Sequence, residues 1–408
     1  MGIDERLPLT GIRVADFSWV GAGPFMTKPL ADHGAEVIKV ESRTRTDVIR
    51  SMHPFRDGKP GVDRSGYFAN RNTSKRSICL DLRTGRGRAL ALDLIARSDV
   101  VVNNFTPGTM ARLGLGYEHA REVRPDVIYL DMPMQGNVGP HHRHRGYGLS
   151  IGALSGLYEL CGYSDRPPVG TGTNYPDHVP NPLHGTIAVL SALRRRSRTG
   201  EGCRIELAQI ESTINVIGPA IVAAAAGQPV TRNGNRDDFY APNGVYPCRG
   251  TDEWCAISIA SDEQWQVLVE CVDQDGALRQ EDFSTAQGRR NHADRLDPLI
   301  AAATRGFGAH ELTALLVVRD IAAARVASAH DVLHDDPQLR ARHHWVVLDH
   351  PEMGPSVYDN LPYTLSGTPG HLRSPAPLLG ADTHDVCTQL LGMDEDDYDK
   401  ALKEGAVG

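Results

Sequence analysis

The chain has 408 residues, 40% of them hydrophobic and 23% charged, enough for about two or three domains and too evenly mixed for a disordered, collagen-like or disulfide-scaffold protein. Its 43 basic and 51 acidic side chains leave a net charge of −8, which disfavours general nucleic-acid binding but leaves room for a local basic pocket. No run approaches the ~18 apolar residues of a membrane span, residues 1–8 lack a secretory leader's apolar stretch, and seven cysteines without a C-x-x-C pair point to a reduced, cytoplasmic protein with neither zinc cage nor redox pair.

Short apolar runs alternate with helical patterns through the first half. Strands are expected at Ile12–Phe17, Glu36–Val40, Ser77–Leu82, Asp99–Val102 and Val127–Leu130, with helices after Gly21-Ala22-Gly23-Pro24 and over Thr84–Arg97. Such near-continuous apolar strands, separated by helices, predict a parallel sheet covered on both faces, with ligands outside the strands' carboxyl ends. Asn181-Pro182 reads as the cap and first turn of a helix that closes on the Arg194–Arg198 run and Gly200. We read that run as a complement to the helix dipole rather than an anion patch. Ile210–Gly227 reads as one apolar helix. Residues 228–240 are polar and turn-rich. Trp254–Ile259 then suggests a strand and Asp262–Val272 a helix, with two more helical patterns ending near Val326 and extended, Pro-rich segments beyond Pro337.

Local motifs carry little chemistry by themselves. The Gly21–Pro24 turn departs from a dinucleotide fingerprint, with Met26 where the third glycine belongs and Pro24 lacking an N–H, which weighs against an NAD-linked oxidoreductase. His141-His142-Arg143-His144 lacks the spacing and further ligands of a metal site and reads as a solvated loop. No G-x-S-x-G, Walker or H-E-x-x-H motif occurs. Asp177, in Tyr175-Pro176-Asp177-His178-Val179-Pro180, reads from its context alone as a structural turn residue.

The chain as a whole resembles the class III coenzyme A transferases. The resemblance lies in Leu9–Phe17, Ala22-Gly23-Pro24, Leu30–Glu41, Asn70-Arg71-Asn72, Lys75–Ile78, Leu80-Asp81-Leu82, Asn104–Gly108, Arg112–Tyr117, Gly146-Tyr147, Leu154–Leu157, Arg198–Gly202 and Pro377–Gly380. It implies a Rossmann-like large domain built from both chain ends (1–217 and 343–408), an inserted small α+β domain (228–328), linkers at 218–227 and 329–342, and an interlocked homodimer. It implies no permanent cofactor and no metal, with coenzyme A and a carboxylic acid as the exchanged partners.

The resemblance also promotes Asp177 to catalytic nucleophile, attacking an acyl-CoA to give an aspartyl anhydride and then an aspartyl-CoA thioester. A desolvated carboxylate suits that role. CoA contacts are implied at Gly21, Ser42, Leu80–Arg83, Asn104, Phe105, Thr106, Arg112, His144, Arg145, Gly146 and Tyr147. Arg112 and Arg145 are the expected phosphate partners, and Arg43 is expected to replace the arginine that relatives carry at Ser42. Arg71, Lys75 and Arg76 read equally well as a solvated face. The related α-methylacyl-CoA racemases place a histidine where this chain has Tyr147, so that chemistry is the alternative, with His144 or His178 as its base. A non-catalytic CoA-binding protein is a further option. No glycine-rich run occurs between residues 228 and 260, which leaves either another covering segment or a more open site.

Overall fold

The structure is a computed structural model that describes residues 7–408. The chain divides into two compact units, one of residues up to 161 with 168–230 and 339–408, the other of 162–167 with 231–338. The first six residues, part of the stretch read above as lacking a leader, lie outside the described residues.

Six strands build the sheet of the larger unit: β1 (Arg13–Asp16), β2 (Glu36–Glu41), β3 (Arg76–Cys79), β4 (Val100–Asn103), β5 (Ile128–Asp131) and β6 (Cys203–Glu206). They run in the order β3-β2-β1-β4-β5-β6, and every neighbouring pair is parallel. The apolar runs of β1 to β5 are buried on both faces, as their composition requires. On one face Val14, Val37, Val100, Val102, Ile128 and Leu130 pack with Met26 and Leu30 of the helix Ala22–Asp32 and Val189 of the helix Pro180–Thr199. On the other, Ala15, Ile38, Ile78, Val101 and Tyr129 pack with Leu90 and Leu94 of the helix Gly85–Ala96. β6 was not expected: Cys-Arg-Ile-Glu alternates half-buried and exposed residues, as an edge strand does.

The smaller unit holds an antiparallel sheet of β7 (Asn243–Pro247), β8 (Trp254–Ser258) and β9 (Ala322–Arg325). Ser261 caps the helix Asp262–Val272 by accepting the Gln264 N–H, and Trp265, Leu268, Phe283, Ile300, Leu312 and Leu316 fill the core. In the larger unit the chain returns as the hairpin of β10 (Trp345–His350) and β11 (Gly354–Asp359). It then seals the β3 edge. Ser77 N–H donates to Asp382 Oδ2 (2.8 Å), Cys79 N–H to Thr383 Oγ1 (3.0 Å), and Asp81 N–H to the Ala406 carbonyl (2.9 Å). Val386, Cys387, Leu391, Ala401, Ala406 and Val407 join the core beneath.

Three local expectations are corrected. Asn181 does not cap its helix, which starts at Pro180 after Val179. It lies buried in the first turn, donating to Gln209 Oε1 (3.2 Å) and accepting from Ser212 Oγ. The apolar helix at Ile210–Gly227 is broken into Gln209–Ile214, the 3₁₀ turn Asn215–Ile217 and Gly218–Ala225, because Pro219 supplies no N–H to continue it. The segment before Val326 ends in β9 rather than a helix, its three alanines pairing with Ala256, Ile257 and Ser258. No helix among the described residues is long and apolar enough to cross a membrane.

Candidate active site

The strand order reverses between β1 and β4, and the loops leaving their carboxyl ends diverge there to open a crevice. β1 ends on Asp16, fully buried, which accepts from Ser18 N–H (3.0 Å), Thr27 Oγ1 (2.6 Å) and Lys75 Nζ (3.3 Å). Burial pushes its pKa up, but the Lys75 and Lys39 cations and the two hydroxyls outweigh this and hold it below the usual carboxylate range. The solvated-face reading thus fails for Lys75, which is buried. Arg76 is spent on Glu36, Asp382 and Asp385, and Arg71 lies with its guanidinium 4.3 Å from the Phe25 ring centre.

Beyond Asp16 the chain turns through Trp19, Val20 and Gly21 into the helix Ala22–Asp32. Asn104, following β4, clamps Trp19 from both sides, accepting its N–H (2.9 Å) and donating to its carbonyl (2.6 Å). Val20 has φ +69°, a left-handed conformation that costs a β-branched residue about 1–3 kcal/mol. Its N–H donates to both carboxylate oxygens of Asp47 (3.0 and 3.2 Å). Gly21 and Gly23 are glycines for want of room. A Cβ on Gly23 would meet Ser18 Cβ at 2.2 Å, and one on Gly21 would meet Asp177 Cβ at 2.8 Å.

Asp177 sits in the single helical turn Tyr175–His178, ahead of the helix Pro180–Thr199. It is 4% exposed. One oxygen, Oδ2, accepts the Gly148 N–H at 2.9 Å, and a Cβ on Gly148 would stand 2.9 Å from that same oxygen. No cation pairs with Asp177 among the described residues. Burial therefore pushes its pKa up to about 6, the Gly148 hydrogen bond pulling the other way. Its neighbour His178 lies between Tyr67 Oη (3.0 Å from Nε2) and Thr173 Oγ1 (3.2 Å from Nδ1). Burial, with the nearby Arg71, pushes His178 down to about 4, so it is neutral near pH 7.

Asp177 forms part of the wall of a cleft of about 630 Å³, a size suited to a small-molecule ligand. Gly21, Asn104, Phe105, Thr106, Arg112, His144, Arg145, Gly146 and Tyr147, all expected from the sequence, line it with Asp177. Arg45, Arg112 and Arg145 bring three guanidinium groups to its lining, none of them ion-paired among the described residues. Arg112 donates to Thr109 Oγ1 (3.0 Å), one turn back along the helix Thr109–Arg112. Next to the cleft, a smaller slot of about 170 Å³ collects Ser42, Leu80 and Arg83 with Phe17, Val40, Leu82 and Leu113. Trp19, Arg45, Phe105 and Thr109 line both cavities.

Arg43 lines neither cavity. The tight turn Ser42–Arg45, closed by the Arg45 N–H to the Ser42 carbonyl (3.0 Å), instead brings Arg45 to the cleft, its guanidinium 5.4 Å from the Trp19 ring centre. Sequence reasoning missed Arg45, Trp19, Asp47 and Gly148. Only Trp19 left a signal, as an aromatic residue three positions after the end of a buried strand. A further cavity of about 460 Å³ lies along the segment leading to Asp177, lined by Tyr67, Leu149, Tyr158, His178 and residues 169–174. Those residues include Gly170 (φ +77°) and Gly172 (φ +72°), a glycine-bearing stretch outside the 228–260 interval.

A sequence model described as CoA-transferase family III matches residues 9–383. The chain belongs to that family, and the protein is a class III CoA-transferase. The transferase is 32% identical, over 96% of each chain, to a succinyl-CoA–D-citramalate CoA-transferase from Chloroflexus aurantiacus. It is 30% identical, over 98% of each, to a formyl-CoA:oxalate CoA-transferase from Streptomyces coelicolor. Among solved structures, a CAIB/BAIF family protein from Brucella suis superposes with a TM-score of 0.85 at 30% identity, covering 94% of this chain and 99% of that one.

Proposed function

We propose that the transferase moves CoA between carboxylic acids through covalent chemistry on Asp177. In this reading the Asp177 carboxylate attacks the donor thioester carbonyl. The C–S bond breaks, giving a mixed anhydride and CoA thiolate. The thiolate attacks the aspartyl carbonyl of the anhydride, expels the donor acid and leaves an aspartyl-CoA thioester. The acceptor carboxylate repeats the exchange in reverse, and Asp177 departs as a carboxylate when the thiolate takes the acceptor's acyl group. Oxyanions formed on the way are stabilised by backbone N–H groups, for which the start of the helix Ala22–Asp32 and the Gly148 amide are the adjacent donors.

One observation carries the reading: Asp177 is a buried carboxylate in the wall of a cleft lined by three arginines, and among the described residues neither it nor they form an ion pair. A nucleophile shed of water, with cations gathered for a polyphosphate, is the division of labour a CoA ester requires. Arg112, Arg145 and Arg45 are assigned to the CoA phosphates, and the apolar slot between Trp19, Leu80 and Phe105 to part of the same ligand. For the acids we propose short dicarboxylates, the class shared by the succinyl, citramalate and oxalate of the relatives' names. Arg71, whose buried Nε has no hydrogen-bond partner among the described residues, is the candidate for the distal carboxylate. A reducing, cytoplasmic setting suits seven unpaired cysteines.

We also propose a homodimer. Leu183, Ile187 and Leu190 form an exposed i, i+4, i+7 stripe on the helix Pro180–Thr199, and Ile221 and Val222 are exposed on Gly218–Ala225; such apolar surface calls for a partner. The chemistry is tested by incubating the protein with succinyl-CoA and hydroxylamine and sequencing the peptide over residues 175–180 by mass spectrometry. A hydroxamate on Asp177 is expected. An unmodified peptide with every donor of a panel that includes acetyl-CoA and formyl-CoA would refute it.

A further inference from the structure

We propose that Asp47 is a positioning residue for the transfer reaction, holding Val20 in its left-handed turn so that the Gly21 backbone seats against Asp177. The inference rests on Asp177 as the nucleophile. It starts from a conflict in the chain itself. Val20 is β-branched, yet it occupies φ +69°, a region glycine enters freely and valine does not. Such a conformation persists only where the surroundings impose it.

The imposing group is identifiable. Both oxygens of Asp47 accept the Val20 N–H, at 3.0 and 3.2 Å. Asp47 is itself fixed on every side. Its Oδ2 takes Lys39 Nζ (3.0 Å), its Oδ1 the Ile49 N–H (3.2 Å), and its own N–H donates to Glu41 Oε1 (2.9 Å). Lys39 Nζ then reaches the Ser18 carbonyl (2.8 Å), so the pair grips the turn at residue 18 and again at residue 20. Asp47 and Lys39 both have no exposed side-chain surface, where charge-assisted hydrogen bonds are strong and geometrically exacting. The Val20 side chain packs against the buried cluster that includes Ile49 and Phe68, apolar contact that glycine would forgo.

What the clamp sets is the next residue. Gly21 lies so near Asp177 that a Cβ would stand 2.8 Å from the Asp177 Cβ, and Val20 and Gly21 both line the cleft beside it. If Val20 relaxed to negative φ, Gly21 and the start of the following helix would swing relative to the carboxylate. Asp47 touches neither the cleft nor Asp177. Its influence runs through Val20.

The test is a rescue. Asp47→Asn removes the charge, and Lys39→Met/Asp47→Asn removes the buried pair together so that no lone ammonium is left behind. Each is made with and without Val20→Gly. The readout is the rate of CoA release in hydroxylamine, with whichever of succinyl-, acetyl- and formyl-CoA labels wild type. Asp47→Asn and the double variant are expected to lose about ten- to a hundredfold in rate with KM for the donor changed less than about threefold. Val20→Gly alone sets the reference rate for its own background, and added to either variant it should raise that variant's rate at least about tenfold, because glycine holds the turn without the clamp. A merely structural role for Asp47 would move melting temperature without this rescue. Wild-type rates in the Asp47 variants, or no rescue by Val20→Gly, overturn the inference, as does failure of the double variant to fold in the Val20→Gly background. Asp177→Ala separates the two claims. If it matches wild type, or if no donor labels wild type, the nucleophile reading fails and takes this inference with it. If it is silent while Asp47→Asn keeps its rate, only the positioning role fails.

Discussion

Replacing Asp177 by Asn should abolish transfer and make the protein more stable at neutral pH. Its carboxyl is raised from 3.8 to about 6 by burial, so at pH 7.5 the fold keeps an anion that the unfolded chain would hold more comfortably in water. About two pKa units at ~1.36 kcal/mol each come to about 3 kcal/mol. The sign follows from linkage. A carboxylate with a raised folded pKa supports folding below pH 3.8 and loses that support as pH rises through about 6. The same relation leaves a burden of about 1.5 kcal/mol at pH 5. Asn fills the same space and can still accept the Gly148 N–H. Urea unfolding of wild type and Asp177→Asn at pH 7.5 and pH 5 therefore should show the variant ahead by about 3 kcal/mol, with the gap roughly halved in acid. In parallel, wild-type kcat/KM should fall as pH drops through about 6. A variant no more stable than wild type at pH 7.5, or a gap insensitive to pH, would refute the claim that Asp177 is held as a desolvated anion.

Three further outcomes are expected. Gly21→Ala, which places a Cβ 2.8 Å from that of Asp177, should lower kcat more than about a hundredfold while circular dichroism stays native, as misplacement at a reacting centre does; near-normal turnover would mean that Gly21 does not set the site. Arg112→Ala and Arg45→Ala should each raise KM for acyl-CoA about tenfold or more with little change in kcat, an effect weakened by salt; equal KM values for wild type and variants would remove them from the phosphate site. Ile187→Asp, on the exposed stripe, should shift the protein toward monomer in light scattering, and an unaltered mass would place any dimer contact elsewhere.

Much of the fold is legible in the chain because the buried strands are near-continuous apolar runs, and Val100–Val102 or Ile128–Leu130 have few other uses. β6 escapes because half of its residues face water and its pattern is weak. β9 escapes because alanine has no strand preference and is placed by its pairing with β8. Asn181 shows the limit of capping rules: a good cap residue before proline was drawn inside by buried partners on a later helix. At the site, family likeness singled out Asp177, whereas the burial that raises its pKa is set by residues close in space but distant in sequence, such as 21 and 148, which no local window contains. Arg45 was passed over for Arg43 because two residues along a turn reverse the direction in which a side chain points. Lys75 carries a charge that suggests solvent, and its place is explained by the buried Asp16, 59 positions away, together with the Pro24 carbonyl and Asn72 Oδ1.

The seal on β3 has a consequence for how the protein is made. Ser77, Cys79 and Asp81 emerge from the ribosome early, but the groups that satisfy their amides are Asp382, Thr383 and Ala406, some three hundred residues behind. Until residue 407 has been synthesised, Ile78 and Leu80 stay without their cover from Val386, Ala401 and Val407. The nascent larger unit must wait, with a sticky flank, for the tail that completes it. A chain cut short of residue 406 would lack the carbonyl that takes the Asp81 N–H and the strand bridge from Val407 to Leu80, leaving this edge of the sheet partly open.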